Sequence, residues 1–182
     1  MMSWDLSRAA NLAMTGFALL WVLSGLSAVD GTGVTGLAWA SLTAVATAAW
    51  VVCMPASPSS SDVSLPDDWP RRFNRISILQ GVAIVMAVAA LVWTGSPGAI
   101  PPAVCSIVAL HFVPLARLFR QPHFMVTAAS LLGVAMAGGV GLVIAGADAA
   151  LGLVGFGAGG VLWGTVVASL LASDGGRGGG IR

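Results

Sequence analysis

An all-α membrane protein, a bundle of six transmembrane helices with both termini in the cytoplasm, is the fold class that three features of this chain predict. Of its 182 residues, 57% are hydrophobic and only 8% charged, against roughly a quarter charged in soluble domains. Six separate stretches reach the about 20 apolar residues that a helix needs to cross hydrocarbon. Every arginine falls on one side when those stretches are threaded alternately through a bilayer. Fifteen charges cannot cover the surface of a water-soluble fold this size, since the chain carries 8 basic and 7 acidic residues.

The first span runs over about 12–29 and the second over about 34–54. The third covers 76–94, the fourth 99–119, the fifth 124–145 and the sixth 149–172. Short turns built from helix breakers join them: Asp30-Gly31-Thr32-Gly33, Gly95-Ser96-Pro97-Gly98 and Gly146-Ala147-Asp148. The link 55–74 is longer and rich in Ser, Pro and Asp, which predicts a mobile cytoplasmic loop. Its Pro55-Ala56-Ser57-Pro58 fits a PxxP pattern, read as plain linker. Its end, Asp67 to Phe73, mixes aromatic and basic residues as headgroup-level segments do. The glycine-rich tail 174–182 predicts disorder.

Orientation follows from charge. With the amino terminus inside, Arg8, Arg71, Arg72, Arg75, Arg117, Arg120, Arg177 and Arg182 all lie on the inner side. Cytoplasmic loops hold the basic excess of membrane proteins, so a multi-pass protein of the cell membrane (inner or plasma) is expected. A second reading makes residues 1–28 a cleaved signal peptide, with Arg8 before the apolar run and Gly25-Leu26-Ser27 at the cleavage site. That run exceeds the usual signal-peptide core of about 7–15 residues, so the retained helix is preferred.

Small residues recur every fourth position on span five, at Ala129, Gly133, Ala137, Gly141 and Ala145. Span six carries Gly160, Gly164, Ala168 and Ala172, together with Gly155 and Gly159. Such stripes let two backbones approach closely. Spans five and six are therefore expected to be the tightest pair. A homo-oligomer or a membrane partner using the same hairpin is the second reading. Residues 155–160 also match GxGxxG, but inside an apolar helix the match has no dinucleotide context. Cys53 and Cys105 are read as packing residues, too far apart along the bundle for a disulfide.

The stretch His111 to Pro122 carries the clearest candidate site. His111 lies about 9 Å deeper than Arg117 at the helical rise, and polar groups at such depth face protein or a water-filled cavity. Pro114 cannot donate to the carbonyl of Leu110 and predicts a kink one turn from the imidazole. Gln80 and Asn11, with Thr15, lie at similar depth. The candidate ligand-binding or polar-core set is His111, Pro114, Gln80, Asn11 and Arg117. Six residues place Arg117 about 120° around the helix from His111, so it is expected to reach the headgroups with Arg120.

The segment His111-Phe112-Val113-Pro114-Leu115-Ala116-Arg117-Leu118-Phe119, followed by Pro122, resembles an HFxPLAxLF signature of small multi-pass prokaryotic membrane proteins of uncharacterised function. The likeness spans about a dozen residues. His123-Phe124-Met125 departs from the tyrosine-rich stretch that follows in that family. The resemblance implies a fold and a role for the face bearing His111 and Pro114, and no activity.

A bundle that binds or transports a small solute or lipid, with a polar site near His111, is the leading functional reading. A non-catalytic structural or assembly subunit of a membrane complex is the alternative. An intramembrane enzyme ranks last. Metal catalysis wants three or four ligands, whereas this chain has 2 histidines and 2 cysteines and no HExxH. No cofactor is assigned, although His111 is a conceivable haem ligand. A net charge of +1 gives no concentrated basic face for nucleic acid. The bilayer itself is the expected partner.

Overall fold

The computed structural model describes residues 3–29 and 68–175, with side chains described for 11–29 and 68–171. Five α-helices are present among the described residues: α1 (Ser3–Leu26), α2 (Trp69–Trp93), α3 (Ile100–Phe119), α4 (His123–Ala145) and α5 (Ala147–Gly175). A single 3₁₀ turn, Pro97–Ala99, leads into α3. The second span, the loop from 55 to 67, Cys53 and residues 176–182 lie outside the described residues.

Helix ends differ from the expected spans where a helix outruns its apolar stretch. The link expected to run to residue 74 ends earlier, because α2 begins at Trp69, seven residues before the third span. Pro70 occupies its first turn, where a missing N–H costs nothing. Asp68 accepts a hydrogen bond from Arg72 Nε at 2.8 Å, one turn on. That bond holds the Asp68 carboxyl below its ordinary value. Likewise α1 starts at Ser3, well before the apolar run, and ends at Leu26. Residues 174 and 175, expected in the disordered tail, are the last of α5. Hydropathy marks the depth of hydrocarbon, not where hydrogen bonding of the backbone stops.

The turn between α4 and α5 is a single residue, Gly146, at φ +92°. A side chain there would strain the backbone, and the abrupt reversal makes α4 and α5 an antiparallel hairpin. Contacts fix the rest of the register. Phe73 and Trp69 of α2 stack against Phe119 of α3, at ring-centroid distances of 6.3 and 6.2 Å. Phe119 meets Phe124 of α4 at 6.5 Å. Met14 of α1 packs on Val166 and Leu170 of α5. One end of the bundle therefore gathers the amino ends of α1, α2 and α4 with the carboxyl ends of α3 and α5. Arg71, Arg72, Arg75, Arg117 and Arg120 all lie there.

Among the described residues, four helices are long and apolar enough to cross a membrane: Trp69–Trp93, Pro97–Phe119, His123–Ala145 and Ala147–Leu171. Their outer faces stay apolar in the folded bundle: Val143 is 86% exposed, Trp93 92% and Leu79 68%. Water is a poor solvent for such a surface and lipid a good one. The core is narrow and built largely from small residues, with Ala18, Cys105, Ala109, Leu131, Ala135, Val154 and Ala158 at 3% exposure or less.

Close approach occurs at two of the expected glycines, Gly155 and Gly159, but against a helix the stripes did not indicate. The tightest contact joins α1 to α5, not α4 to α5. A Cβ on Gly155 would lie 2.7 Å from the carbonyl oxygen of Trp21 and 2.5 Å from Cα of Gly25. One on Gly159 would lie 3.1 Å from the carbonyl oxygen of Ala18. Between α4 and α5, Gly141 and Gly138 make room for the side chains of Leu153 and Val154. Seven other stripe members face outward. No described atom comes within 4 Å of a Cβ on Gly133, Gly160 or Gly164, and Ala129, Ala137, Ala145 and Ala168 are exposed. Helices α4 and α5 are apolar all round, so spacing alone could not say which of two small-residue faces would pack.

Candidate functional site

The residues proposed for a polar site distribute over two places. On α2 the half-buried positions Ile76, Gln80, Ile84, Ala87 and Leu91 recur every three or four residues, and α3 is the helix that α2 packs along. Gln80 therefore sits on the face turned to α3. Stepping seven residues inward from the stacked Phe73 and Phe119, about 10 Å at the helical rise, leads to Gln80 on α2 and Phe112 on α3. Gln80 and His111 thus share a level. Asn11 and Thr15 do not join them, because α1 packs along α5 and forms no extended interface with α2 or α3. Thr15 is buried and donates to its own helix, at the Asn11 carbonyl (2.9 Å).

The imidazole of His111 is half-buried, edge-on to Phe112 at 6.2 Å. Its Nδ1 is fully buried and finds no hydrogen-bond partner among the described residues. The same is true of Nε1 of Trp163 on α5. In an apolar surrounding each unmatched polar atom costs about 1–3 kcal/mol, so both are marked positions. Pro114 lies inside α3, three residues beyond His111, and its ring nitrogen leaves the Leu110 carbonyl without a helical donor. An acceptor-capable imidazole and a released carbonyl thus lie within one turn.

Toward the arginine end, α2 and α3 diverge into a cleft of about 340 Å³. Arg72, Arg117 and Arg120 line it, with Ile76, Val113, Pro114 and Leu118 as its apolar wall. Arg117, expected at the headgroup level, is exposed on this cleft. Arg120 is the α3 cap at φ +53°, ψ +37°. It is the one non-glycine with positive φ among the described residues. Its backbone N–H closes the helix on the carbonyl of Ala116. His123 opens α4, its ring 4.5 Å from that of Phe124.

One polar contact between helices escaped sequence reasoning. Thr127 of α4 and Thr165 of α5 lie 2.9 Å apart through their hydroxyl oxygens. Each also reaches a carbonyl of its own helix, Thr127 that of His123 (3.2 Å) and Thr165 that of Val161 (2.9 Å). Two protons cannot serve three bonds. Either hydroxyl can therefore donate across the interface while the other holds its own helix carbonyl. Val substitutions at both positions, taken as a double-mutant cycle in detergent-solubilised unfolding, should give a coupling of about 0.6 kcal/mol and no more than about 1.7. A coupling of zero would remove this bond from the account. The buried Cys105 directs its Sγ to the Leu131 carbonyl at 3.4 Å, the packing role read from sequence.

No family model matches this chain, and neither does any curated protein or solved structure. Function must therefore be argued from the residues themselves.

Proposed function

We propose that this protein is a multi-pass protein of the cell membrane with six spans and both termini inside, which binds or passes a small solute or lipid at the level of His111. The orphaned Nδ1 of His111, one turn from Pro114 and level with Gln80, carries the reading. A polar atom of this kind inside a bilayer protein faces a partner, a cavity or a transit path. The HFxPLAxLF resemblance falls on the same residues. For the span count, the support is that Val29 and Asp68, the described residues that flank the expected second span, lie at opposite ends of the bundle. The five arginines whose side chains are described, all at one end, support the orientation. The membership of α1 in the bundle, with Ala18 and Thr15 buried, favours retention of the first span over its removal as a signal peptide.

The experiment is His111→Ala beside His111→Gln in protein purified from membranes in mild detergent. Native mass spectrometry should find a co-purifying small molecule or lipid on the wild type, lost about tenfold or more in the alanine variant with the unfolding temperature unchanged. Equal ligand content in both would overturn the site. Unfolding of the alanine variant, rescued by glutamine, would make His111 a strut between helices.

A second reading has its own observation. The outward stripes Ala129-Gly133-Ala137 and Gly160-Gly164-Ala168 leave two faces on which another helix could pack closely. An assembly subunit, or a second copy of this chain, would use them.

A further inference from the structure

We infer that the cleft between α2 and α3 is a binding site for the phosphate of an anionic phospholipid, held by Arg72, Arg117 and Arg120. The inference rests on the membrane placement proposed above and not on the His111 site, from which it is separable.

Three arginines line one cleft of about 340 Å³, and among the described residues no carboxylate lines it. Asp68 pairs with Arg72 from outside the lining and orients it. Among the described residues no acid pairs with Arg117 or Arg120. Guanidinium is matched to phosphate in geometry and charge. Beneath the arginines the wall turns apolar, through Ile76, Val113 and Pro114. A ligand that fits must be anionic at the arginine end and greasy toward the bundle centre. A phospholipid has that order of parts, and basic pockets between membrane helices on the cytoplasmic side recognise such headgroups. The backbone adds a further sign. Arg120 holds a left-handed conformation that glycine adopts more cheaply, so its side chain is kept where the fold alone would favour none.

The test compares the full chain in nanodiscs and in mild detergent, titrated with phosphatidylglycerol or phosphatidylcholine of equal acyl length and read by native mass spectrometry. The wild type should prefer phosphatidylglycerol. Each arginine should contribute about fivefold, so Arg117→Gln with Arg120→Gln should reduce the preference by roughly thirtyfold. Arg71→Gln with Arg75→Gln removes the same charge from the same end but outside the cleft, and should leave the preference within about twofold. Arg120→Gly relieves the backbone while deleting the cation, so weaker lipid selectivity in a folded protein cannot be blamed on misfolding. His111→Ala should leave the preference intact. Equal losses in the two double variants would mean diffuse attraction to the surface and would overturn the site. Displacement of the lipid by millimolar inorganic phosphate would reassign the cleft to free phosphate and would equally overturn the proposal, as would a wild type without headgroup preference.

Discussion

Gly155→Ala should destabilise the bundle by about 3 kcal/mol, the upper part of the range for overpacking a filled interior. The new methyl would meet backbone, not a side chain that can turn away: the Trp21 carbonyl oxygen at 2.7 Å and Cα of Gly25 at 2.5 Å. Relief requires α1 to move bodily from α5. Gly25 is itself hemmed by the backbone nitrogen of Phe156 at 3.1 Å, so the two glycines form one crossing. Gly133→Ala and Gly160→Ala are the controls, with no described atom within 4 Å. They should be neutral or stabilising by up to about 1 kcal/mol through reduced backbone freedom. Unfolding in mixed micelles followed by tryptophan emission reads all three. Equal behaviour of Gly155→Ala and Gly160→Ala would mean that α1 does not cross α5 here.

Leu131→Ala should cost about 2 kcal/mol. Leu131 is fully buried, beside Cys105 where α3 crosses α4. In a soluble protein the loss would span about 2–5 kcal/mol, combining transfer from water with the cavity left behind. In a bilayer the separated helices remain in hydrocarbon, so the transfer part largely vanishes and the lost packing remains. The neighbouring Leu132 is 40% exposed, and Leu132→Ala should change stability by less than about 0.5 kcal/mol. A loss well above 3 kcal/mol at Leu131 would show that unfolding exposes the side chain to water. Similar losses at both positions would refute the assigned face of α4.

Much of this architecture was legible in the residue string, and the gaps have a common cause. Helices α3 and α4 lie within a residue of the apolar stretches 99–119 and 124–145, because Gly and Pro at their ends stop the helix. Where polar residues keep a helix going, as at Trp69 to Asn74, the apolar criterion stops short. The depth of His111 and Gln80 followed from counting along each helix, and the register from the Phe73–Phe119 contact puts them level. Asn11 was placed by the same counting but on the wrong neighbour, since depth says nothing about which helices adjoin. The Thr127–Thr165 bond and the three-arginine cleft were out of reach for the same reason: 38 residues separate the threonines, and Arg72 lies far along the chain from Arg120.

Composition and periodicity are local properties, and they determined which solvent this polypeptide needs, where the described helices run and at which end of the bundle their arginines gather. Tertiary structure alone decided which face of each helix packs. In water an amphipathic stripe would have announced the buried side. Here lipid accepts every apolar face equally, so the choice between Gly133 and Gly138, or between Gly160 and Gly155, fell to steric fit between helices distant in the chain.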